Sequence, residues 1–259
     1  LWFVYVGFTF VEAILLRVAG MGWFDAINHA LTTMATGGFS TKNASIAAFD
    51  APAIQYIITA FMFFAGTSFT LLYYAVMRKP DKIVKNEEFK FYGGFILIFT
   101  LIVTVTVFSV TPLNVEETFR TAIFQVVSII TTTGYITADY TAWVPFITIL
   151  FFLMMFFGGM AGSTAGGVKM IRHIVLVKNS FLELKRLLHP SAVIPVRLNG
   201  KAVTQNIAYN VLAFIIIYIM VFTISTFIMA LFGGDILTAT GSVATCLGNI
   251  GPGIGSVGP

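Results

Sequence analysis

Long apolar runs alternate along this chain with shorter helical segments that end in glycine, and this alternation constrains the fold most. The stretch Ile-Ile-Thr-Thr-Thr-Gly-Tyr at residues 129–135 lies between two such runs. Threonine and glycine there expose hydroxyls and carbonyls, which a lipid-facing segment cannot tolerate. Non-helical backbone at membrane depth persists only where it is buried in protein or lines a water-filled path. The stretch therefore predicts a pore-lining segment, and a turn outside the membrane is the alternative.

The composition places the chain in the lipid bilayer. Of the 259 residues, 58% are hydrophobic and only 10% are charged. Soluble domains carry about 25% charged residues, so we expect a polytopic membrane protein. The net charge of +4 is interpreted as a bias of the loops, and we expect no nucleic-acid partner.

The sequence offers few residues for a catalytic site or a metal site. The single cysteine, Cys246, excludes a multi-cysteine metal site and is expected to be a small packing residue on the third half-length helix. The histidines His29, His173 and His189 lack the spacing of metal ligands, and His29 is expected to make a local hydrogen bond. No Ser-His-Asp set or carboxylate pair has convincing membrane placement. We expect no enzyme and no organic cofactor.

The first part of the chain predicts a span, a half-length helix and a second span. Residues 1–19 predict a membrane helix, and their abrupt apolar start predicts that the beginning of this helix is missing. Residues 24–35 are helical in pattern but too short to cross a bilayer. They lead directly into Thr36-Gly37-Gly38. Residues 53–77 predict one full span.

The second part repeats this plan. Residues 78–90 form a charged linker, and residues 91–111 predict a span. Residues 115–130 predict a half-length amphipathic helix with two acids in its first turn, where they complement the helix dipole. The Thr-Thr-Thr-Gly-Tyr stretch follows. The next apolar run, from residue 143, breaks at a glycine-rich segment, residues 158–167.

The third part begins with a basic segment, residues 169–201, which predicts a linker. Residues 207–232 predict a span, and Asp235 is expected to cap a short helix that ends at about Leu247. Gly248-Asn249-Ile250-Gly251-Pro252-Gly253 then occupies the position of the earlier Thr-Gly stretches.

The repeating plan aligns one glycine from each part: Gly38, Gly134 and Gly251. Small residues also pack membrane helices tightly, but such packing does not predict half-length helices that each end at the same point. Rings of backbone carbonyls replace the hydration shell of an ion in potassium filters. The C-terminal end of a half-helix adds negative potential, which favours a cation.

The distribution of Lys and Arg predicts how the chain is oriented in the membrane. The linkers at residues 78–90 and 169–201 carry most of the Lys and Arg, so they are expected on the cytoplasmic side. Every pore loop then enters from outside, in contrast to inverted repeats. Asp25, Asp139 and Asp235 near the loops are expected to cap turns, although they could also draw cations towards a vestibule.

Four motifs together carry a resemblance: Thr-Gly-Gly-Phe-Ser, Thr-Thr-Thr-Gly-Tyr, Gly-Gly-Met-Ala-Gly-Ser-Thr-Ala-Gly-Gly-Val-Lys and Gly-Asn-Ile-Gly-Pro-Gly. Over essentially its whole length the chain resembles the TrkH/TrkG/KtrB superfamily of potassium transporters. The resemblance implies an all-α polytopic membrane protein of repeated helix–pore-loop–helix units around a central pore, three of the four units being present. It implies that residues 1–78 are the second unit of the family and that residues 79–178 are the third unit, whose second span is broken. Residues 179–259 would then hold the cytoplasmic linker, the span and the pore loop of the last unit, and the final span of that unit is missing.

The same resemblance implies a potassium filter built from backbone carbonyls. Its expected residues are Thr36, Gly37, Gly38, Thr132, Thr133, Gly134, Asn249, Ile250 and Gly251. Pro252 departs from the Phe and Tyr that follow the other two filter glycines. Because Pro fixes φ and lacks an N–H donor, we expect an asymmetric filter of lower stringency.

A gate below the filter is also implied. Its expected residues are Gly158, Gly159, Gly162, Ser163, Thr164, Gly166, Gly167 and Lys169. So many glycines cannot hold a stable helix, and a packing kink is the alternative. Lys169 and Arg172 are also explained as cations that anchor the chain at the membrane surface.

The expected function is potassium transport in the bacterial inner membrane by a multi-pass subunit, with potassium as the transported species. The resemblance implies a homodimer and a cytoplasmic nucleotide-binding regulatory ring of the TrkA/KtrA type. One alternative is a sodium- or proton-coupled potassium symporter on the same scaffold. Another is a membrane assembly subunit without transport.

Overall fold

The computed structural model describes residues 1–188 and 194–258, and helices make up most of this part of the chain. His189 lies outside the described residues. The α-helices are, in chain order, α1 Trp2–Val18, α2 Trp23–Met34, α3 Pro52–Ala65, α4 Phe69–Val76, α5 Pro80–Val84, α6 Glu87–Val110, α7 Val115–Ile130, α8 Pro145–Met154, α9 Met170–Leu188, α10 Gln205–Leu231 and α11 Ile236–Gly248. Short 3-10 helices occupy Ser45–Ala48, Tyr140–Ala142 and Gly255–Val257. The strands β1 Arg197–Leu198 and β2 Lys201–Ala202 form an antiparallel hairpin, in which Arg197 lies opposite Ala202.

Two helices of the described residues, α6 and α10, are long and apolar enough to cross a membrane. The bent pair α3 and α4 would make a third span if counted together. No residue in the apolar window of α10 is buried, as expected for a surface that faces lipid. The predicted all-α membrane class is confirmed.

The half-length helices follow their predictions closely. Helix α7 has the predicted bounds, and α2 begins and ends one residue earlier than expected. Helix α11 begins directly after Asp235, whose Oδ2 accepts a hydrogen bond from the backbone N–H of Thr238 at 3.3 Å. This is the expected N-cap, in which a side-chain oxygen satisfies a backbone donor that has no partner within the helix.

The span predicted over residues 53–77 is not one continuous helix. Helix α3 ends at Ala65, α4 begins at Phe69, and the two axes differ by 109°. The break is stabilised by the glycine-rich segment, since the Gly66 carbonyl accepts from the N–H of Met160 and the N–H of Phe69 donates to the carbonyl of Gly162. The released backbone groups therefore find partners in protein, as they must at membrane depth.

The predicted linker over residues 78–90 was also wrong in part. It contains the short helix α5, and α6 begins at Glu87 rather than at the predicted residue 91. Asn86 caps α6, because its Oδ1 accepts from the N–H of Phe89 at 2.9 Å. Glu88 is only 5% exposed, so it is not a solvated linker charge.

The basic segment over residues 169–201 holds more structure than a linker. Helix α9 occupies most of it and buries Met170, Ile174 and Val175. The hairpin of β1 and β2 follows before α10 begins.

Helix α7 lies at the centre of the hydrophobic core. It packs against α3 and α6, and its residues from Phe124 to Ile130 are all buried. This central position places the second of the three Thr-Gly stretches between the other two.

Candidate ion-conduction site

The three loops that follow α2, α7 and α11 share an unusual backbone conformation. In each, a residue with positive φ precedes the aligned glycine by two positions, and that glycine also has positive φ. The pairs are Thr36 (52°) with Gly38 (66°), Thr132 (55°) with Gly134 (83°), and Asn249 (56°) with Gly251 (109°). A left-handed residue ends a helix and turns the chain out of the helical path.

Each loop is tied back to its half-helix by a hydrogen bond at the same position. The residue that precedes the aligned glycine donates its N–H to a carbonyl five residues earlier. The bonds run from Gly37 to Thr32 (2.8 Å), from Thr133 to Ser128 (2.9 Å) and from Ile250 to Thr245 (2.9 Å). Carbonyls at a helix C-terminus lack partners within the helix, so these bonds fix the end of each half-helix in the same way.

The loops pack directly against one another. A Cβ atom at Gly38 would lie 1.8 Å from the carbonyl oxygen of Thr133, and one at Gly134 would lie 1.8 Å from that of Ile250. No side chain fits at either glycine, so backbone meets backbone between neighbouring loops. A Cβ atom at Gly251 would have no heavy atom of the described structure within 4 Å.

Two buried tyrosines of the second loop region connect it to both neighbours. The Tyr135 hydroxyl donates to the carbonyl of His29 at 3.1 Å and lies 2.5 Å from the Thr32 hydroxyl. The Tyr140 hydroxyl donates to the carbonyl of Gly253 at 2.6 Å. Helix α7 and its loop thus hold the first and third loops in register.

A cavity of about 550 Å³ lies where the three loops meet. All the predicted filter residues line it except Thr36 and Thr132, which are buried beside it. Cys246 also lines the cavity and is exposed. The expectation that Cys246 is a small packing residue was therefore wrong, because the face of α11 that carries it borders the opening.

The polar residues near the loops mostly stabilise local structure. His29 makes the expected local hydrogen bonds, to the carbonyl of Asp25 at 2.7 Å and to the hydroxyl of Ser40 at 2.9 Å. Asp25 accepts from the hydroxyl of Thr41 and lies 3.8 Å from the ammonium of Lys42. Hydrogen bonds from Thr238, first from its side chain and then from its backbone, lower the pKa of Asp235.

The glycine-rich segment reaches the ends of all three half-helices. The N–H of Gly166 donates to the Thr132 hydroxyl at 2.6 Å, directly after α7. The Thr164 hydroxyl lies 3.0 Å from the carbonyl of Met34, the last residue of α2. A Cβ atom at Gly166 would lie 2.9 Å from the carbonyl oxygen of Gly248, the last residue of α11.

The segment is also folded on itself. The N–H of Gly158 donates to the carbonyl of Val168 at 2.8 Å, and the N–H of Met170 donates to that of Gly159 at 3.1 Å. The Lys169 ammonium donates to the carbonyls of Ser163 and Ala165. The predicted gate residues therefore form one compact irregular unit.

A match to a protein-family model identifies the family of this chain. The family model described as "TrkH: Cation transport protein" matches residues 1–259. The chain belongs to the TrkH family. The expected resemblance is confirmed, and the family is one of transport proteins and not of enzymes.

Named relatives agree with this TrkH-family assignment. The chain is 39% identical over 247 residues to the "Trk system potassium uptake protein TrkH" of Escherichia coli strain K12, which covers 94% of the chain and 51% of the relative. It is 37% identical over 244 residues to the protein of the same name from Halomonas elongata, again over 94% of the chain and 51% of the relative. It is 34% identical over 249 residues to TrkG of Escherichia coli strain K12, over 94% of the chain and 50% of the relative.

The fold of the chain also agrees with the TrkH-family assignment. The structure matches the crystal structure of the potassium transporter TrkH from Vibrio parahaemolyticus with a TM-score of 0.93 and 36% identity, over 99% of this chain and 56% of that one. The chain spans about half the length of the curated relatives it matches.

Two structural features of this TrkH-family chain escaped the sequence prediction. The bend between α3 and α4 could have been found from Gly66-Thr67-Ser68, a small polar interruption of the apolar run. The buried Glu88 had no such indication. Its Oε1 accepts from the N–H of Ala161 at 2.7 Å and from that of Ile171 at 3.2 Å, contacts that only the tertiary fold creates.

Proposed function

We propose that the chain forms part of a pore through which potassium crosses a membrane. The observation that carries this proposal is the direct packing of Gly38 against the Thr133 carbonyl and of Gly134 against the Ile250 carbonyl. Such packing lets carbonyl-rich backbone from three loops surround one opening. Backbone carbonyls that replace the hydration shell of an ion are the basis of potassium filters.

The proposed filter residues are those that the sequence predicts in the three loops. Three half-helices end at these loops, and their C-terminal carbonyls contribute partial negative charge there. A dehydrated cation gains most from such a site, and the curated relatives are named potassium uptake proteins. Potassium is accordingly the proposed transported species.

The glycine-rich segment is the proposed gate. It lies against the ends of α2, α7 and α11, where an ion that leaves the filter would pass. Its hydrogen bonds to Thr132 and Met34 must break before it can move aside. Lys169, bonded within the segment, would move with it.

We also propose that residues 1–78, 79–178 and 179–259 are separate units, each of which contains one of the three loops. We retain the homodimer, the nucleotide-binding regulatory ring and the bacterial inner membrane as proposals. The name "Trk system" of the relatives implies a system of more than one component, which supports a regulatory partner.

Potassium uptake tests the function. The complete protein is expected to restore growth at low potassium in a bacterial strain that lacks its own potassium transporters. Absence of uptake, with the protein present in the membrane, would contradict transport and favour an assembly role.

Replacement of Gly134 tests the filter. We expect Gly134→Ser to reduce discrimination of potassium against sodium, because a side chain there collides with the Ile250 carbonyl. A surface control, Lys85→Gln, should leave selectivity unchanged. Unchanged selectivity in Gly134→Ser would overturn the filter assignment.

Reversal potentials separate a channel from a coupled symporter. In proteoliposomes under an imposed potassium gradient, a channel reverses at the potassium equilibrium potential. A reversal potential that shifts with the sodium or proton gradient would support the symporter instead.

A further inference from the structure

We propose that Glu88 is a positioning residue that holds the glycine-rich segment in its observed place and thereby limits ion flux. The inference rests on the proposed function, in which this segment is the gate. Glu88 lies in the first turn of α6, away from the filter loops and outside the predicted gate residues.

The burial of Glu88 sets it apart from the charges around it. It is 5% exposed, whereas Lys85 and Lys90 on either side of it are exposed. A buried carboxylate is costly unless hydrogen bonds compensate for its lost hydration. In a membrane protein such a residue is most often functional.

One oxygen of Glu88 joins the interior of the glycine-rich segment to the start of helix α9. Its Oε1 accepts from the N–H of Ala161, inside the glycine-rich segment, at 2.7 Å. The same atom accepts from the N–H of Ile171, in the first turn of α9, at 3.2 Å. The chain between these two residues contains Ser163, Thr164 and Gly166, which contact the half-helices or the segment itself. Glu88 therefore connects Ala161 to Ile171 across the intervening part of the segment.

Both donors depend on this carboxylate. The Ile171 N–H belongs to the first turn of α9, where no carbonyl of the helix can accept it. The Ala161 N–H lies in irregular backbone. Hydrogen bonds to an ionised acceptor are stronger than neutral ones, and negative charge at the start of α9 also complements the helix dipole.

Lys169 is one of the proposed gate residues and bonds to the glycine-rich segment, whereas Glu88 belongs to helix α6. The Lys169 ammonium bonds to the carbonyls of Ser163 and Ala165. Among residues 1–188 and 194–258, the two side chains make no ion pair within 4.0 Å. The direct contacts of Glu88 with the gate and with α9 are therefore the two backbone N–H groups.

The neighbouring Glu87 provides a matched control. Its carboxylate pairs with Lys178 of α9, and its N–H donates to the Oδ1 of Asn199 in the hairpin at 2.8 Å. Its carboxylate makes no hydrogen bond to residues 158–167 of the described structure. A change at Glu87 removes an acid from the same helical turn but leaves both bonds to the gate intact.

The test compares Glu88→Ala, Glu88→Gln and Glu87→Gln in the complete protein reconstituted in proteoliposomes. We expect Glu88→Ala to raise potassium flux about tenfold, since loss of charge-assisted bonds favours the displaced gate. Glu88→Gln, which keeps an acceptor oxygen, should give an intermediate flux. Glu87→Gln should match the wild type, and the potassium-to-sodium ratio should stay constant in all three.

If the Glu88→Ala protein does not fold, a second measurement on the other two variants still tests the inference. Hydrogen–deuterium exchange at residues 158–171 should be faster in Glu88→Gln than in Glu87→Gln, with no difference in the filter loops. Equal exchange and equal flux in these two variants would overturn the inference. A loss of ion selectivity in Glu88→Gln would also overturn it, because the residue would then act on the filter.

Failure of this inference is distinguishable from failure of the proposed function. If the wild type conducts potassium and Gly134→Ser reduces its selectivity, the function stands whatever Glu88 does. If neither holds, the proposed function itself is wrong.

Discussion

At the scale of single residues, the aligned glycines differ in the space around them. At Gly38 and Gly134 a Cβ atom would collide with the carbonyl of the next loop, and at Gly251 it would meet no heavy atom of residues 1–188 and 194–258 within 4 Å. All three have positive φ, which is strained for any other residue. The first two glycines are therefore required for packing and conformation, and the third for conformation alone.

We expect Gly38→Ala to impair the protein more than Gly251→Ala. Alanine at position 251 costs only the backbone strain, about 1–3 kcal/mol, whereas alanine at position 38 also displaces the second loop. Thermal unfolding in detergent and potassium-to-sodium selectivity would measure the difference. Equal effects of the two variants would contradict the packing described for Gly38.

The exposed thiol of Cys246 offers a probe of the cavity. A cationic methanethiosulfonate reagent added from the side of the cavity should reduce potassium flux, because the modified side chain occupies the opening beside Ile250. Cys246→Ser should conduct normally and resist the reagent. Inhibition that persists in Cys246→Ser, or modification without inhibition, would place the thiol elsewhere.

At the scale of elements, the bond from the Gly166 N–H to the Thr132 hydroxyl joins the end of α7 to the glycine-rich segment. We expect Thr132→Val, which keeps the shape but loses the acceptor, to raise potassium flux. The half-buried N–H of Gly166 left without a partner costs up to about 3 kcal/mol, equivalent to at most about a 150-fold change in the equilibrium of the proposed gate.

Thr132→Ser is the matched control for this bond. It retains the hydroxyl, so its flux should stay close to that of the wild type in the same proteoliposome assay. A similar rise in both variants would show that the methyl group matters and that the hydrogen bond does not.

The start of α11 should respond to pH. Hydrogen bonds from Thr238 lower the pKa of Asp235, so its ionised form stabilises the folded state above the unfolded pKa of about 3.9. This contribution is lost as the pH falls through the lower, folded pKa. The difference in Tm between the wild type and Asp235→Asn should therefore shrink from pH 6 to pH 3. A constant difference would contradict an ionised cap.

The half-helices could be predicted because their signals are local. An apolar segment too short to span, closed by Thr-Gly, defines both the length and the end of α7. The bend at Gly66 was missed because hydropathy averages over a window and is insensitive to three small residues. Glu88 was missed for another reason: its burial and its partners Ala161 and Ile171 come from segments distant in sequence.

At the scale of the whole molecule, the structure is a set of half-helices that end at a common opening, with longer helices around them. Helix α7 and its loop lie between the other two loops, and the glycine-rich segment lies against all three half-helices. Helix α10 has an apolar window without buried residues, as expected for contact with lipid. This arrangement supports the proposed filter of three loops, with the proposed gate beside it.

The most direct test of this account is to locate the ion. A crystal structure of the complete protein with thallium, which replaces potassium and scatters anomalously, should show a peak between residues 36–38, 132–134 and 249–251. Gly134→Ser should weaken that peak. An active protein with no peak between these loops, or with its ion bound elsewhere, would contradict the filter.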